Sequence, residues 1–284
     1  MTTLILPANP LSGKGFDEEF QKEANAVRWE DDFQVASVDH DALTRRGKVT
    51  LRVPPTATAS SIYRGWMLNT EQYETFYKQA KISGLTLETT PQQYRTAHRI
   101  DGWLDNFGDL TFPTFLVPEH NVEEKLTELI SYLEPGKYFI KDYVKSQKHD
   151  PKLSVANSVE DIQAVVNKLI TEQGEWFTGG AVIRKFVELP VDRTEIRGWW
   201  KDGEWRAFTP HPDFVDTVGE TLDEVPASLV AEVNNRLNEL NLKFVSVDFT
   251  PTLDGDWLVI EIGDGQVSGF PSNIDEETIA EVLR

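Results

Sequence analysis

Short apolar runs and helical periodicities divide the chain before any other property is considered. Thr3 to Leu6 and Thr50 to Val53 read as short strands, and Tyr73, Phe76, Tyr77 and Ala80 recur at the 3.6-residue period of an amphipathic helix. Thr90-Pro91 supplies a cap and a first helical position for another helix. Residues 1–110 are therefore expected to form an α/β region, with Pro54 to Ser61 as its main irregular loop. Beyond Leu110 the pattern sharpens. Val122, Leu126, Leu129, Ile130 and Leu133 mark a helix, with Asn121 and Glu124 as a capping box and Gly136 as its stop. A strand over Lys137 to Tyr143 follows. Ser158 caps a second helix carrying Ile162, Val165, Val166, Leu169 and Ile170, which leads through Gly179-Gly180 into the strand Ala181 to Val187.

The last third changes character. Ile196 to Trp200 and Glu204 to Phe208 flank Asp202-Gly203, while Phe244 to Thr250 and Trp257 to Glu261 flank Asp254-Gly255. Both dipeptides signal type I′ hairpins. A helix marked by Pro226, Leu229, Val230, Val233, Leu237 and Leu240 lies between them, so this part reads as antiparallel sheet with helices and the chain as α+β.

Composition narrows the function classes. With 284 residues, 39% of them hydrophobic, the chain can bury a core in two or more domains. It has no apolar run long enough to span a bilayer, and its start, MTTLILPANP, lacks a signal peptide's basic region, so a cytoplasmic location without membrane contact is expected. The absence of Cys removes disulfides, thiolate metal sites and cysteine nucleophiles. A formal charge of -19 opposes nucleic-acid binding and implies that any polyphosphate is held locally, through a metal.

Candidate chemistry starts at the second hairpin. A two-residue turn at Asp254-Gly255 sets Asp248 opposite Glu261, with Cβ atoms roughly 5 Å apart. Ser246, Asp248 and Thr250 alternate with Val245, Val247 and Phe249, which leaves a polar face. A hard cation would relieve the repulsion, and Mg²⁺ commonly takes one or two carboxylates plus phosphate oxygens. A solvated acidic pair, or another register, reads the same residues equally well. Gly263-Asp264-Gly265 places a carboxylate between glycines, as a phosphate-approaching backbone or an ordinary turn would. Lys141 sits in an otherwise apolar strand, either paired with an anion or facing water on an edge. Ser12-Gly13-Lys14-Gly15 lacks the Gly and the Ser or Thr of a phosphate loop, since those positions hold Ala8 and Gly15. Trp200 and Trp205 read as a cross-strand pair, and His211, between two prolines, as a loop residue rather than a general base.

Three segments together resemble the ATP-grasp superfamily over roughly residues 111–284. They are Phe139-Ile140-Lys141-Asp142-Tyr143-Val144-Lys145-Ser146, then Val182-Ile183-Arg184-Lys185-Phe186-Val187-Glu188 with Glu195-Ile196-Arg197, then Val247-Asp248-Phe249 with Val259 to Gln266. The chain is similar above all to the divergent clade that includes the eukaryotic translation-initiation-factor assembly chaperone and several bacterial and phage families. The resemblance implies an ATP-grasp fold, with subdomains at 111–178 and 179–284, preceded by a small α/β domain over 1–110. It implies that Lys141 and Lys145 meet the nucleotide phosphates and that Lys185, Phe186 and Val187 form the adenine-facing hinge. Glu188 then reaches the ribose or adenine edge, Arg184 and Arg197 occupy basic positions, and Asp248 and Glu261 hold Mg²⁺. Many ATP-grasp enzymes carry Asn where this chain has Gly263, which makes Asp264 the candidate replacement ligand. The segment Ile62 to Leu68 also resembles one family of the clade. It leaves Arg64 as either a substrate or phosphate contact or a strand-end Arg stacked on Trp66 or paired with an acid.

The activity implied is ligation. ATP phosphorylates a carboxylate, an amine attacks the acylphosphate, and Lys141 and Arg197 offset the developing charge. The partners are then ATP and unidentified carboxylate and amine substrates, with a peptide or protein as a possible acceptor. A nucleotide-binding assembly factor without turnover is the alternative, and a phosphotransferase ranks third.

Overall fold

The apolar run at Leu4 to Leu6 becomes the middle of a sheet. In the computed structural model, which describes residues 1–53, 60–144, 154–174, 177–190, 195–217 and 224–284, β1 (Thr2–Pro7) pairs in parallel with β2 (Phe33–Val38) and with β4 (Ser60–Tyr63). At the edges lie β3 (Leu51–Arg52), antiparallel to β2, and β5 (Thr86–Leu87), parallel to β4. Leu4, Ile5 and Leu6 are all fully buried, because a parallel sheet is covered on both faces. Leu4 and Leu6 pack in a cluster with α1 (Gln21–Ala26) and α9 (Glu276–Leu283). Ile5 points the other way, into a cluster with α2 (His40–Arg46), α3 (Thr70–Ile82) and α4 (Pro91–His98). The Thr90 cap holds, since Gln93 N–H donates to Thr90 Oγ1 at 3.3 Å.

Two compact units interleave along the sequence. The first contains Met1–Ala97, Thr194–Phe249 and Glu261–Arg284, the second His98–Arg193 and Thr250–Ile260. Besides the parallel sheet, the first unit carries most of a four-stranded antiparallel sheet. Its members are β10 (Ile196–Lys201), β11 (Glu204–Pro210), β12 (Phe244–Pro251) and β13 (Trp257–Asp264), in the order β11-β10-β12-β13. Trp199 and Phe244 from this sheet join the cluster of Leu4 and Leu6. Helix α8 (Ala227–Glu239) buries Val233 and Leu237.

The two hairpins of this sheet turn differently. Asp202 and Gly203 both have positive φ, 55° and 91°, as a type I′ turn requires, and Trp200 pairs with Trp205. The second turn departs from the sequence expectation. Gly255 N–H donates to Thr252 O at 3.1 Å and Thr252 N–H to Asp256 O at 2.7 Å, which encloses three loop residues with only Gly255 at positive φ. This is a type I turn with a glycine bulge. At the far end Gly265 N–H donates to Phe244 O, as a two-residue turn would have it, so the strands absorb a one-residue offset between these points.

The second unit is built on an antiparallel sheet of β6 (Thr114–Pro118), β7 (Tyr138–Asp142), β8 (Val155–Ala156) and β9 (Gly180–Lys185), in the order β6-β9-β7-β8. Tyr138, Ile140, Ala181 and Ile183 face the buried sides of α6 (Val122–Ile130) and α7 (Ile162–Gln173). The preceding helix α5 (Ile100–Phe107) buries Trp103 and Phe107. Asn121 makes no side-chain cap, so the expected capping box is absent; a short 3-10 turn over Glu119–Asn121 enters the helix instead. The helix ends at Ile130, short of Leu133 and Gly136, and the next begins at Ile162 after Asp161, where Ser158 Oγ bonds the Asp161 carboxylate at 3.1 Å. Gly180 is required where it stands, since a Cβ there would lie 2.2 Å from Val117 O.

Candidate active site

Strand register assembles a charged face on the antiparallel sheet of the first unit. Arg197 on β10 is the register partner of Asp248 on β12 and of Thr209 on β11. Its guanidinium grips Asp248 with two bonds, Nε to Oδ1 at 2.7 Å and Nη2 to Oδ2 at 2.9 Å, and its Nη1 donates to Gly269 O at 2.9 Å. Such a fork is strong where water is excluded, and both side chains are buried. Burial pulls the Arg197 pKa down, but the Asp248 carboxylate, joined by the charges of Glu261 and Asp213, outweighs it and holds the group above its usual value. Glu261, half-buried on β13, thus acts on the same guanidinium that Asp248 holds.

His211 joins this face although its sequence context gave no reason to expect it. It follows β11 two residues beyond Thr209, the strand partner of Arg197. Its Nε2 lies 3.8 Å from Asp248 Oδ2 and its Nδ1 3.9 Å from Asp213 Oδ2. Counting back from Asp202-Gly203 would pair Arg197 with Phe208; the register shift between Trp199 and Trp200 moves its partner to Thr209, so the turn alone does not find His211.

Asp264 does not join the other two carboxylates. Among the described residues no group of three or more His, Asp or Glu is placed to hold a metal ion. The reason is strand periodicity: three residues past Glu261, the side chain leaves on the opposite face. There Gln266 donates to Asp264 Oδ1 from both its backbone N–H and its Nε2, each at 3.0 Å, and Oδ2 is buried with no hydrogen-bond partner. Burial pushes this carboxyl up to about 7, against the Gln266 bonds and the charge of Arg64. Gly263 does lie on the side of Glu261, and a Cβ there would stand 3.1 Å from both Ser246 Oγ and Ser268 Oγ.

Arg64 is paired with an acid. It is 1% exposed, donates to both Glu23 oxygens at 2.8 and 2.7 Å and to Ser268 O at 2.8 Å, bonds Gly265 O, and lies over Phe270 at 4.5 Å rather than over Trp66. Its donors are spent on the fold.

In the second unit, Lys141 is buried on β7, which lies between β9 and β8, so the water-facing edge reading fails. Lys141 pairs with Val182 and Phe139 with Arg184, which puts Lys141 and Arg184 on the sheet face opposite the helices. Arg184 donates to Thr114 Oγ1 at 3.1 Å and Ile260 O at 2.9 Å, and stacks on Phe112 at 5.5 Å. Strand β9 ends at Lys185, whose Nζ pairs with Glu134 at 2.6 Å; Phe186, Val187 and Glu188 follow the strand. Lys185 N–H and Phe186 N–H are taken by Pro113 O and Lys137 O. Lys145 lies outside the described residues.

The donor set on β12 and β13 is of the kind Mg²⁺ takes: it asks a protein for only one or two carboxylates, and Asp248 is already oriented by Arg197.

An α/β unit joined with two antiparallel sheets, one bearing a buried Lys and the other an Arg–carboxylate face, is the layout of an ATP-grasp protein. The sequence matches the ATP-grasp domain, R-2-K clade family 3, over residues 130–283, and the chain belongs to that family. Among solved structures it resembles the D-cycloserine synthetase DcsG (TM-score 0.63, 17% identity, 99% of this chain and 98% of that one). It also resembles the D-alanine-D-alanine ligase of Coxiella burnetii (0.62, 9%, 99% and 92%). A third is the ATP-grasp ligase PsnB, complexed with a phosphomimetic variant of its minimal precursor, Mg and ADP (0.58, 10%, 99% and 95%). No curated protein sequence matches it. No helix among the described residues is long and apolar enough to cross a membrane.

Proposed function

We propose that the protein is a Mg-ATP-dependent ligase that activates a carboxylate as an acylphosphate for attack by an amine. The observation that carries this is the Arg197–Asp248 fork with Glu261 beside it, on one sheet face of an ATP-grasp chain. Bound at Asp248 and Glu261, Mg²⁺ would neutralise charge on phosphate oxygens. Arg197, already oriented by Asp248, offers its cation to charge developing on the transferred phosphoryl group, and the family resemblance makes Lys141 the candidate contact to nucleotide phosphates. With the Lys185 and Phe186 amides spent inside the sheet, adenine contacts fall to Phe186 C=O, Val187 N–H and Glu188. That PsnB is complexed with a precursor supports a peptide or protein as acceptor, on analogy of fold. The N-terminal α/β domain ahead of residue 111 is the natural place for acceptor contacts.

Titration calorimetry tests the nucleotide half. ATP binding should depend on Mg²⁺ and weaken at least tenfold in Asp248→Asn and Glu261→Gln, while magnesium-independent binding unchanged in both variants would refute the metal assignment. Hydroxylamine tests the chemistry: a trapped hydroxamate identifies the acylphosphate, whereas partner capture without turnover would identify an assembly factor.

A further inference from the structure

Beside Asp248 and Glu261 the same sheet face presents a pair of hydroxyls with no assigned task. Ser246 precedes Asp248 by two residues on β12, and Gly263 follows Glu261 by two on β13, so all four positions share one side. Ser246 Oγ and Ser268 Oγ lie 2.7 Å apart, each 3.1 Å from where a Cβ on Gly263 would be. A side chain at Gly263, two residues beyond Glu261, would therefore crowd both oxygens and have to displace them by a few tenths of an ångström. Ser268 reaches it from the loop that follows β13, whose backbone is pinned by Arg64 at Ser268 O and by Arg197 at Gly269 O.

The hydrogen count fixes what these oxygens offer. Ser268 Oγ donates its one proton to Asp264 O at 2.9 Å, so the 2.7 Å contact is Ser246 donating to Ser268. Both protons are committed within this chain of hydrogen bonds, and Ser268 Oγ keeps a lone pair. A hydroxyl locked in that sense suits a cation and repels a phosphate oxygen. Ser246 is buried, 2% exposed, whereas Ser268 is half-buried and open to a ligand.

We propose that Ser268 Oγ is a third oxygen ligand of the Mg²⁺ held by Asp248 and Glu261, with Ser246 as the positioning residue that fixes its lone pair. The proposal rests on the metal reading above and deepens it. Two carboxylates and a neutral hydroxyl leave octahedral positions for phosphate oxygens and water, and soft metals are disfavoured by an all-oxygen set.

The full-length protein with ADP bound is titrated with Mn²⁺, followed by electron paramagnetic resonance, and separately with Cd²⁺. Ser268→Cys replaces the oxygen by sulfur at nearly the same size in a chain that has no other Cys. It should bind Mn²⁺ about tenfold more weakly and Cd²⁺ at least tenfold more tightly than wild type. Ser246→Ala, which frees the hydroxyl to turn, should weaken Mn²⁺ several-fold without the gain in Cd²⁺. Unchanged Mn²⁺ and Cd²⁺ affinities in Ser268→Cys overturn the proposal, provided Asp248→Asn and Glu261→Gln still lose Mn²⁺. If those two also bind Mn²⁺ normally, the metal reading itself is wrong. Melting temperatures of the variants within a few degrees of wild type separate ligand loss from misfolding.

Discussion

Burial with one unpartnered oxygen makes Asp264 easier to protonate in the fold than in the unfolded chain, where a carboxyl titrates near about 4. Between about pH 4 and 7 the folded protein keeps a proton that the unfolded chain has released. The stabilising contribution is therefore full below the unfolded value and lost as pH rises through the folded one. Asp264→Asn, which mimics the protonated form, should erase that loss. Relative to wild type, its unfolding free energy in urea should rise by up to about 4 kcal/mol between pH 4 and 8, and parallel curves would show that Asp264 does not titrate in this range. Arg64 poses the opposite problem, a buried cation whose removal strands Glu23. Arg64→Met should cost about 3 to 5 kcal/mol, with much of it recovered in Arg64→Met/Glu23→Leu, as a double-mutant cycle would measure.

Among the elements, legibility followed the locality of the interactions. The buried run at Leu4 to Leu6, the periodic faces of α3 and α7, and the Asp202-Gly203 turn each depend on neighbours a few residues away, and each was readable. Asp254-Gly255 misled because the same dipeptide closes a type I turn when only the glycine takes positive φ, and the alternatives differ by backbone angles that composition does not encode. Gly255→Ala meets no atom within 4 Å, so its cost should be that of the φ of +85° alone, about 1 kcal/mol by chemical denaturation. A much larger loss would mean that the hairpin shifts register. Non-local geometry was the blind spot. The Arg197–Asp248 fork joins positions 51 residues apart in sequence, on strands whose pairing no turn dictates, and only family resemblance pointed at Arg197. Asp264 lies apart from Glu261 for a plainer reason: three residues further along the strand, its side chain leaves on the opposite face and meets Gln266.

At the scale of the whole molecule, packing ignores the order in which the chain is written. Leu4, Leu6 and Phe20 share one cluster with Trp199, Phe244, Ile279 and Leu283. A fragment beginning at residue 111 would expose the inner side of that cluster, and it should bind a hydrophobic dye and melt without a cooperative transition. Sharp two-state melting of the fragment would instead make 1–110 a detachable domain. The cluster also has a bearing on synthesis. At roughly 5 to 20 residues per second, a ribosome delivers helix α9 on the order of 15 to 55 s after the strand it covers, so Leu4 and Leu6 wait half-wrapped over that interval, and a cell that makes this protein must shelter β1 until α9 emerges.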